Sequence, residues 1–311
     1  METEKFEIYF LIVICFIFIV IGSIGNVISI VIFSHKDLKK HSTSVYLRFS
    51  SFVNLITLFY LPVMTVPSIW PISTFFCKIF LAIMMLLIEI QSWIVTFCSL
   101  DRLVTVVKPH KFLFKNKFKF QLGIVIGALV TIFCLNFPYL YFYEKEYHHS
   151  GQTMCLLPKE ALFLQAYTTY EYIFVRVLIP FSLMIVSSLM IVKKVSKNKM
   201  LLMVSFNSRF KVKYRMVKVF LITDTFFLIF RIPMVFYTLL EYDEGKIFYN
   251  FFFSICVLLG SIHNAFVFII FLLFNKFYRF LFFQYFTKFK KFILLNCVIV
   301  KKNNRVFNHK F

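Results

Sequence analysis

Charge is what this sequence has least of. Only 16% of its 311 residues are Asp, Glu, Lys or Arg, and acids are the scarcer kind, 14 against 35 bases. So few polar residues leave no material for a sizeable soluble domain. Also missing are a phosphate-binding loop, a nucleophile constellation and any grouping with metal-ligand spacing. The chain is therefore expected to be no enzyme and to carry neither cofactor nor metal. The His148-His149 pair reads as solvated loop side chains. No internal repeat is visible. The N-terminal segment has no Asn-x-Ser/Thr acceptor. Its first apolar run, starting near Phe6, follows the acids Glu2 and Glu4 and includes Glu7. Without a basic leader or a small-residue cleavage site, it is expected to be a retained span and not a signal peptide.

What is abundant is apolar. Hydrophobic residues make up 60% of the chain, against about 45–50% in an average soluble domain, and the mean hydropathy is +0.81. They gather in runs of roughly 20 or more, the length a helix needs to cross about 30 Å of hydrocarbon. Seven runs can be counted, near 8–34, 45–70, 77–107, 119–142, 166–193, 216–241 and 247–274. The sixth is interrupted by Asp224 and Arg231. The expected architecture is an all-α membrane protein: a seven-transmembrane helix bundle over 8–287, between a short outer segment, 1–7, and a basic tail, 288–311. A short amphipathic stretch, NKFYRFLFFQYF (275–286), suits a helix lying in the membrane interface.

Orientation follows from where the bases fall. Lys36, Lys39 and Lys40 follow the first run, Lys108, Lys111, Lys115, Lys117 and Lys119 the third, and eight bases from Lys193 to Arg215 the fifth. The alternate loops carry acids, such as Glu144, Glu146, Asp243 and Glu244. Bases stay on the cytoplasmic side. The N-terminus is thus expected outside and the C-terminus inside at the plasma membrane, which requires an odd number of spans. The net charge of +21 then reflects this asymmetry and contact with anionic inner-leaflet lipid. It does not point to nucleic acid, which would need an aqueous basic face.

Of seven cysteines, only Cys77 and Cys155 fall at outer positions, where a disulfide persists. It would tie the loop between spans four and five to the top of span three. Cys15, Cys98, Cys134 and Cys256 lie inside runs and read as small buried hydrophobes; Cys297, in the basic tail, is a palmitoylation candidate. Asp101 and Arg102 close span three on the inner side. Arg102 stands 25 residues beyond Cys77, roughly 37 Å of helix at 1.5 Å per residue, so the two sit at opposite membrane faces.

The order of these features resembles the rhodopsin-like G-protein-coupled receptors over about residues 8–287. Gly25-Asn26 is similar to that family's first-helix pair. YLRFSSFVNLITLFYLP (46–62) is similar to its second helix, with Asn54 at the usual Asp. Ile69-Trp70 resembles its outer-loop Trp. Cys77, Cys155 and SLDRLVTVVKP (99–109) resemble its disulfide and Asp-Arg-Tyr region, with Leu103 for Tyr. Pro180, FFLIFRIP (226–233) and HNAFVFIIF (263–271) resemble its fifth, sixth and seventh helices, with Arg231 for Trp and neither Pro nor Tyr in the last; Phe271 stands near the Tyr.

The resemblance implies a receptor that passes an extracellular ligand's signal, peptide or small molecule, to a heterotrimeric G protein. Asp101, Arg102 and Pro109 would form the coupling switch, Asp101 holding Arg102 at rest. Pro180, Phe227, Arg231, Pro233 and Phe271 would form the activation hinge. Asn26, Asn54, Gln91, His263 and Asn264 would form a polar network inside the bundle. Met84, Glu89, Arg176 and Arg231 would line the ligand pocket. Glu89 and Arg176 have two readings, a buried pair or direct ligand contact; Arg231, at the pocket floor, is placed to meet an anion. Asn54 removes the main charge of the family's sodium site, Lys213 cannot act as an acidic partner for Arg102, and Met84 in place of an Asp argues against amines. No Lys lies in span seven, so a retinal Schiff base is unsupported. The loosely kept motifs suggest an invertebrate-type peptide receptor or chemoreceptor. A seven-span transporter or channel is the alternative.

Overall fold

Hydrocarbon offers backbone N–H and C=O groups no water, so an isolated apolar run must satisfy them internally, as a helix does. The computed structural model describes residues 2–39, 43–65, 73–107, 117–142, 144–147, 153–156, 162–204, 208–239 and 247–288. The spanning helices are α1 (Glu2–Phe33), α2 (Thr43–Thr65), α3 (Thr74–Val107), α4 (Lys117–Phe142), α5 (162–204), α6 (Ser208–Leu239) and α7 (Ile247–Phe274). All seven are long and apolar enough to cross a membrane. The fold is the seven-helix bundle that the apolar runs imply. Helices α5 and α6 continue past their apolar runs to 204 and back to 208, because basic turns beyond the membrane edge remain helical in water.

Two features depart from simple helices. A short hairpin, β1 (Glu144–Tyr147) and β2 (Thr153–Leu156), pairs antiparallel between α4 and α5. It adds strands that an all-α expectation does not contain. Helix α5 has three parts: Leu162–Tyr170, a π-helical stretch Glu171–Leu178, and Ile179–Val204. The stretch ends as Ile179 N–H bonds the Phe174 carbonyl, five residues back, directly before Pro180. Proline lacks an N–H, and its ring crowds the carbonyl four residues earlier. A widened turn is one way to relieve that crowding.

The lipid-facing surface carries Phe16, Phe133, Leu189 and Ile229, each more than half exposed. A soluble monomer rarely shows such a belt. The half of the bundle expected to face inward, called inner below, shares one core, with Ile32, Phe33, Leu87, Ile94, Phe220, Phe271 and Tyr278 among its buried members. Helices α1 and α7 approach closely at two glycines. A Cβ on Gly25 would lie 2.0 Å from the Phe268 ring, and one on Gly22 would lie 2.9 Å from Ala265 Cα. Small residues at such crossings let membrane helices pack. After α7, Asn275 turns the chain. Its Oδ1 accepts from the Phe277 and Tyr278 backbone N–H groups, both at 3.1 Å, a cap that starts α8 (276–288).

Candidate functional site

The outer half is organised around Arg176. In an α-helix, residues five apart point about 140° from one another. The π-helical turn brings Glu171 and Arg176 onto one side. Arg176 Nε donates to Glu171 Oε1 at 3.0 Å, and Nη2 lies 2.8 Å from Glu171 Oε2. Such a forked pair is the strong form of the interaction. Nη2 also donates to Asn136 Oδ1 (2.9 Å), and the guanidinium lies over the Tyr139 ring. Asn136 Nδ2 donates in turn to Glu89 Oε2 (2.5 Å), and Tyr139 donates to Glu171 (3.1 Å). Glu89 itself is farther from the guanidinium, at 3.9 Å. Glu171 is thus the nearer acid, one that the sequence reading left unnamed. All five side chains are buried, tying α3, α4 and α5 together. Met84 is buried beside them, packed with Leu81 and Tyr139.

At mid-depth a chain of amides crosses the bundle. Arg231 Nη2 donates to Gln91 Oε1; Gln91 Nε2 donates to Asn264 Oδ1 and, at 2.8 Å, to Asn54 Oδ1. Asn54 donates to Asn26 Oδ1 (3.1 Å), and Asn26 donates to the Gly22 and Asn264 carbonyls, both at 2.8 Å. Five helices are joined by neutral side chains and one guanidinium. His263 adjoins the chain through a side-chain hydrogen bond with Asn264. Its Nδ1 is buried without a hydrogen-bond partner, and its ring meets Phe227 edge-on at 5.0 Å.

Helix α6 links this layer to the inner end. Phe220, Asp224, Phe227 and Arg231 recur at spacings of four, three and four, which places them on one helix face. Arg231 reaches Gln91 on α3. Phe227, fully buried, meets Phe181 of α5 (6.0 Å) and His263 of α7. Asp224 Oδ2 accepts from Ser99 of α3 (3.0 Å) and Ser188 of α5 (3.4 Å), while Ser99 and Ser187 share a 2.6 Å hydrogen bond. Beside Asp224 lies a cavity of about 30 Å³, bounded also by Tyr46, Ser50, Cys98, Phe220 and His263. Phe220 touches Phe271 (5.9 Å), and its ring lies under the Arg102 guanidinium at 4.2 Å. Phe271 continues to Tyr278 of α8 (5.7 Å), whose hydroxyl bonds Ser29 of α1 at 2.8 Å. Burial pushes the Tyr278 phenol up to about 12, so it serves as a neutral hydrogen-bonding group.

The inner ends of α2, α3 and α4 meet at Asp101. It accepts from Thr43 Oγ1 at 2.9 Å and from Gln121 Nε2 at 3.4 Å. Successive helix residues diverge by about 100°, and Arg102 points the other way, over Phe220. Asp101 and Arg102 thus engage different partners. Among the described residues, the ion pairs are Arg176 with Glu171 and Glu89, and His35 with Asp37.

Pro180 accepts a long hydrogen bond from Thr96 (3.5 Å), and Pro233 lies within α6. Pro109 and Cys297 lie outside the described residues, as do the side chains of Cys77 and Cys155; of the last two, only the backbone is described, in α3 and β2. Asp224, Glu171, Asn136, Phe220 and Tyr278 are the residues that the sequence reading did not single out. A signal for Asp224 existed: it sits seven residues before Arg231, on the Phe227 face.

Comparison with known proteins adds the family. The profile described as 7 transmembrane receptor (rhodopsin family) matches residues 25–267. The chain is 27% identical over 169 residues to the human N-arachidonyl glycine receptor, covering 53% of this chain and 50% of that protein. It is 26% identical over 187 residues to the cattle N-arachidonyl glycine receptor, covering 58% and 56%. The chain thus spans about half the length of the curated relatives it matches. A transporter or channel is not favoured by these matches. The profile covers most of the bundle, from the α1–α7 glycine contact to the inner third of α7, and on that ground the chain belongs to the rhodopsin family of seven-transmembrane receptors.

Proposed function

We propose that the chain is a plasma-membrane receptor, N-terminus outside and C-terminus inside, that binds an extracellular ligand in the outer half of the bundle and activates a heterotrimeric G protein at the inner face. One observation carries this reading. A single face of α6 holds Arg231, Phe227, Asp224 and Phe220, and each contacts a partner on another helix, from mid-depth down to Arg102. Displacing α6 must break these contacts together, which makes the helix a two-state element that ligand and G protein both bias. Arg102, released from Phe220, would be the group a G protein meets.

The Cys77–Cys155 disulfide and the contact of the basic inner loops with anionic lipid belong to this proposal. The residues of the outer cluster serve it as a rigid wall: α3, α4 and α5 are locked by Arg176 while α6 is free to move. N-arachidonyl glycine, from the name of the relatives, is the first ligand to test. The experiment is a G-protein dissociation assay across the four Gα classes in cells, with surface labelling of an N-terminal tag to establish orientation. Ligand-dependent dissociation is expected. A surface-displayed receptor that neither raises basal dissociation nor responds to any extract or ligand would refute the proposal.

A further inference from the structure

Arg231 has no counter-charge among the described residues: no acid there lies within ion-pair distance of it. Among the described residues its side chain donates to the Gln91 amide oxygen, its face lies 5.4 Å from the Phe227 ring centre, and its Nε is buried without a partner. The amides beyond Gln91 are neutral and engaged with one another, apart from Asn264 Nδ2, which is buried without a partner. A charge held at membrane depth usually finds a partner or marks the path of a ligand. A glycine lies beside the guanidinium. Gly260 of α7 faces it, and a Cβ there would come within 3.7 Å of Arg231 Cδ and Nη1.

The approach from outside is apolar. Residues 79–88 of α3, 232–237 of α6 and 255–259 of α7 contain no Asp, Glu, Lys, Arg or His, and their only ionisable groups are the Tyr237 phenol and the Cys256 thiol. The Tyr237 ring packs on Phe252 and Phe253 (6.2 and 5.1 Å). A hydrated inorganic anion would lose its shell along such walls. We infer that Arg231 is the acid anchor of the ligand site, and that the ligand is an amphipathic carboxylic acid whose acyl body lies among the outer parts of α3, α6 and α7. Its carboxylate takes the fork of the guanidinium, Nε included, and so supplies the charge that the bundle lacks.

The inference rests on the outer half being a ligand site and does not depend on G-protein coupling. Its test is therefore binding, read as thermal stabilisation of the purified full chain in detergent. The probes are oleic acid, methyl oleate and acetate. Oleic acid is expected to raise Tm by several degrees in a saturable way, and methyl oleate and acetate are expected to leave it unchanged. In Arg231→Gln the oleate shift disappears, while the unliganded protein is at least as stable as the parent because a half-buried charge without a described counter-charge is gone. Arg231→Lys keeps part of the shift, and Gly260→Leu, whose side chain would crowd the guanidinium, removes it. The inference is overturned by any of four results: no shift with oleate, an equal shift with the ester, a shift that survives Arg231→Gln, or an unliganded Arg231→Gln protein markedly less stable than the parent. A chain that binds the acid but never activates a G protein would leave the anchor standing and overturn only the coupling.

Discussion

Replacing Arg176 with methionine is the sharpest perturbation of the outer half. Two carboxylates share this one guanidinium: Glu171 through two contacts of 2.8 and 3.0 Å, and Glu89 at 3.9 Å. Methionine keeps the side-chain length and removes the charge. It leaves both acids buried with only Asn136 and Tyr139 as donors, and stripping one partner from a buried pair costs about 3–5 kcal/mol. Glu171→Gln is milder. Glutamine retains an acceptor oxygen for Nε, and Glu89 remains to balance the cation. The loss is then the difference between a charged and a neutral acceptor, about 1–1.5 kcal/mol. At roughly 2–4 °C per kcal/mol, Arg176→Met should lower Tm by roughly 6–20 °C and Glu171→Gln by roughly 2–6 °C. The triple change Glu89→Gln, Glu171→Gln, Arg176→Met removes every charge and should recover most of the loss, since neutral replacement of a buried ionic group is often close to neutral overall. A thiol-reactive dye reads the transition, because Cys15, Cys98 and Cys256 are buried and become reactive on unfolding. If Glu171→Gln proved more damaging than Arg176→Met, or the triple variant no better than Arg176→Met alone, the cluster would not be organised around its cation.

Three further outcomes follow from other layers. Asp224→Ala deletes the acceptor shared by Ser99 and Ser188; if one such bond of about 1.5 kcal/mol is lost on activation, basal G-protein dissociation should rise on the order of tenfold, and an unchanged baseline would count against the latch. Gly25→Val drives a side chain into the Phe268 ring, and overpacking of this kind costs about 1–3 kcal/mol, seen as a lower Tm with α1 the first segment to lose hydrogen-exchange protection. Tyr278→Phe removes the hydroxyl bonded to Ser29 but keeps the ring on Phe271, so the loss should be about 1 kcal/mol; a collapse in surface expression would show that α8 depends on more than this bond.

The spans were legible because hydrophobic length is a strong signal and helix is the structure that lipid permits a lone segment. Polar residues inside apolar runs, such as Asn54, Gln91 and Arg176, could be picked out for the same reason. Their partners could not. Glu171 and Arg176 are five apart, a separation that an α-helical reading puts on different faces, and only the π-helical turn before Pro180 joins them. Asp224 read as a break in hydropathy because its acceptors' partners, Ser99 and Ser188, are ordinary residues on other helices. Family likeness suggested that Asp101 restrains Arg102; local geometry gives the neighbouring side chains different partners, Thr43 and Gln121 in one case and Phe220 in the other. Contacts of that kind depend on how helices pack, which no single segment encodes.

The central claim is that α6 couples an outer ligand site to Arg102. It is tested most directly by nucleotide exchange on purified heterotrimeric G proteins, with the receptor reconstituted in lipid nanodiscs and compared with Arg102→Ala. The account predicts receptor-dependent exchange with at least one Gα class, loss of that exchange in Arg102→Ala, and unchanged ligand-induced thermal stabilisation in the same variant. Exchange that persists undiminished in Arg102→Ala would contradict it.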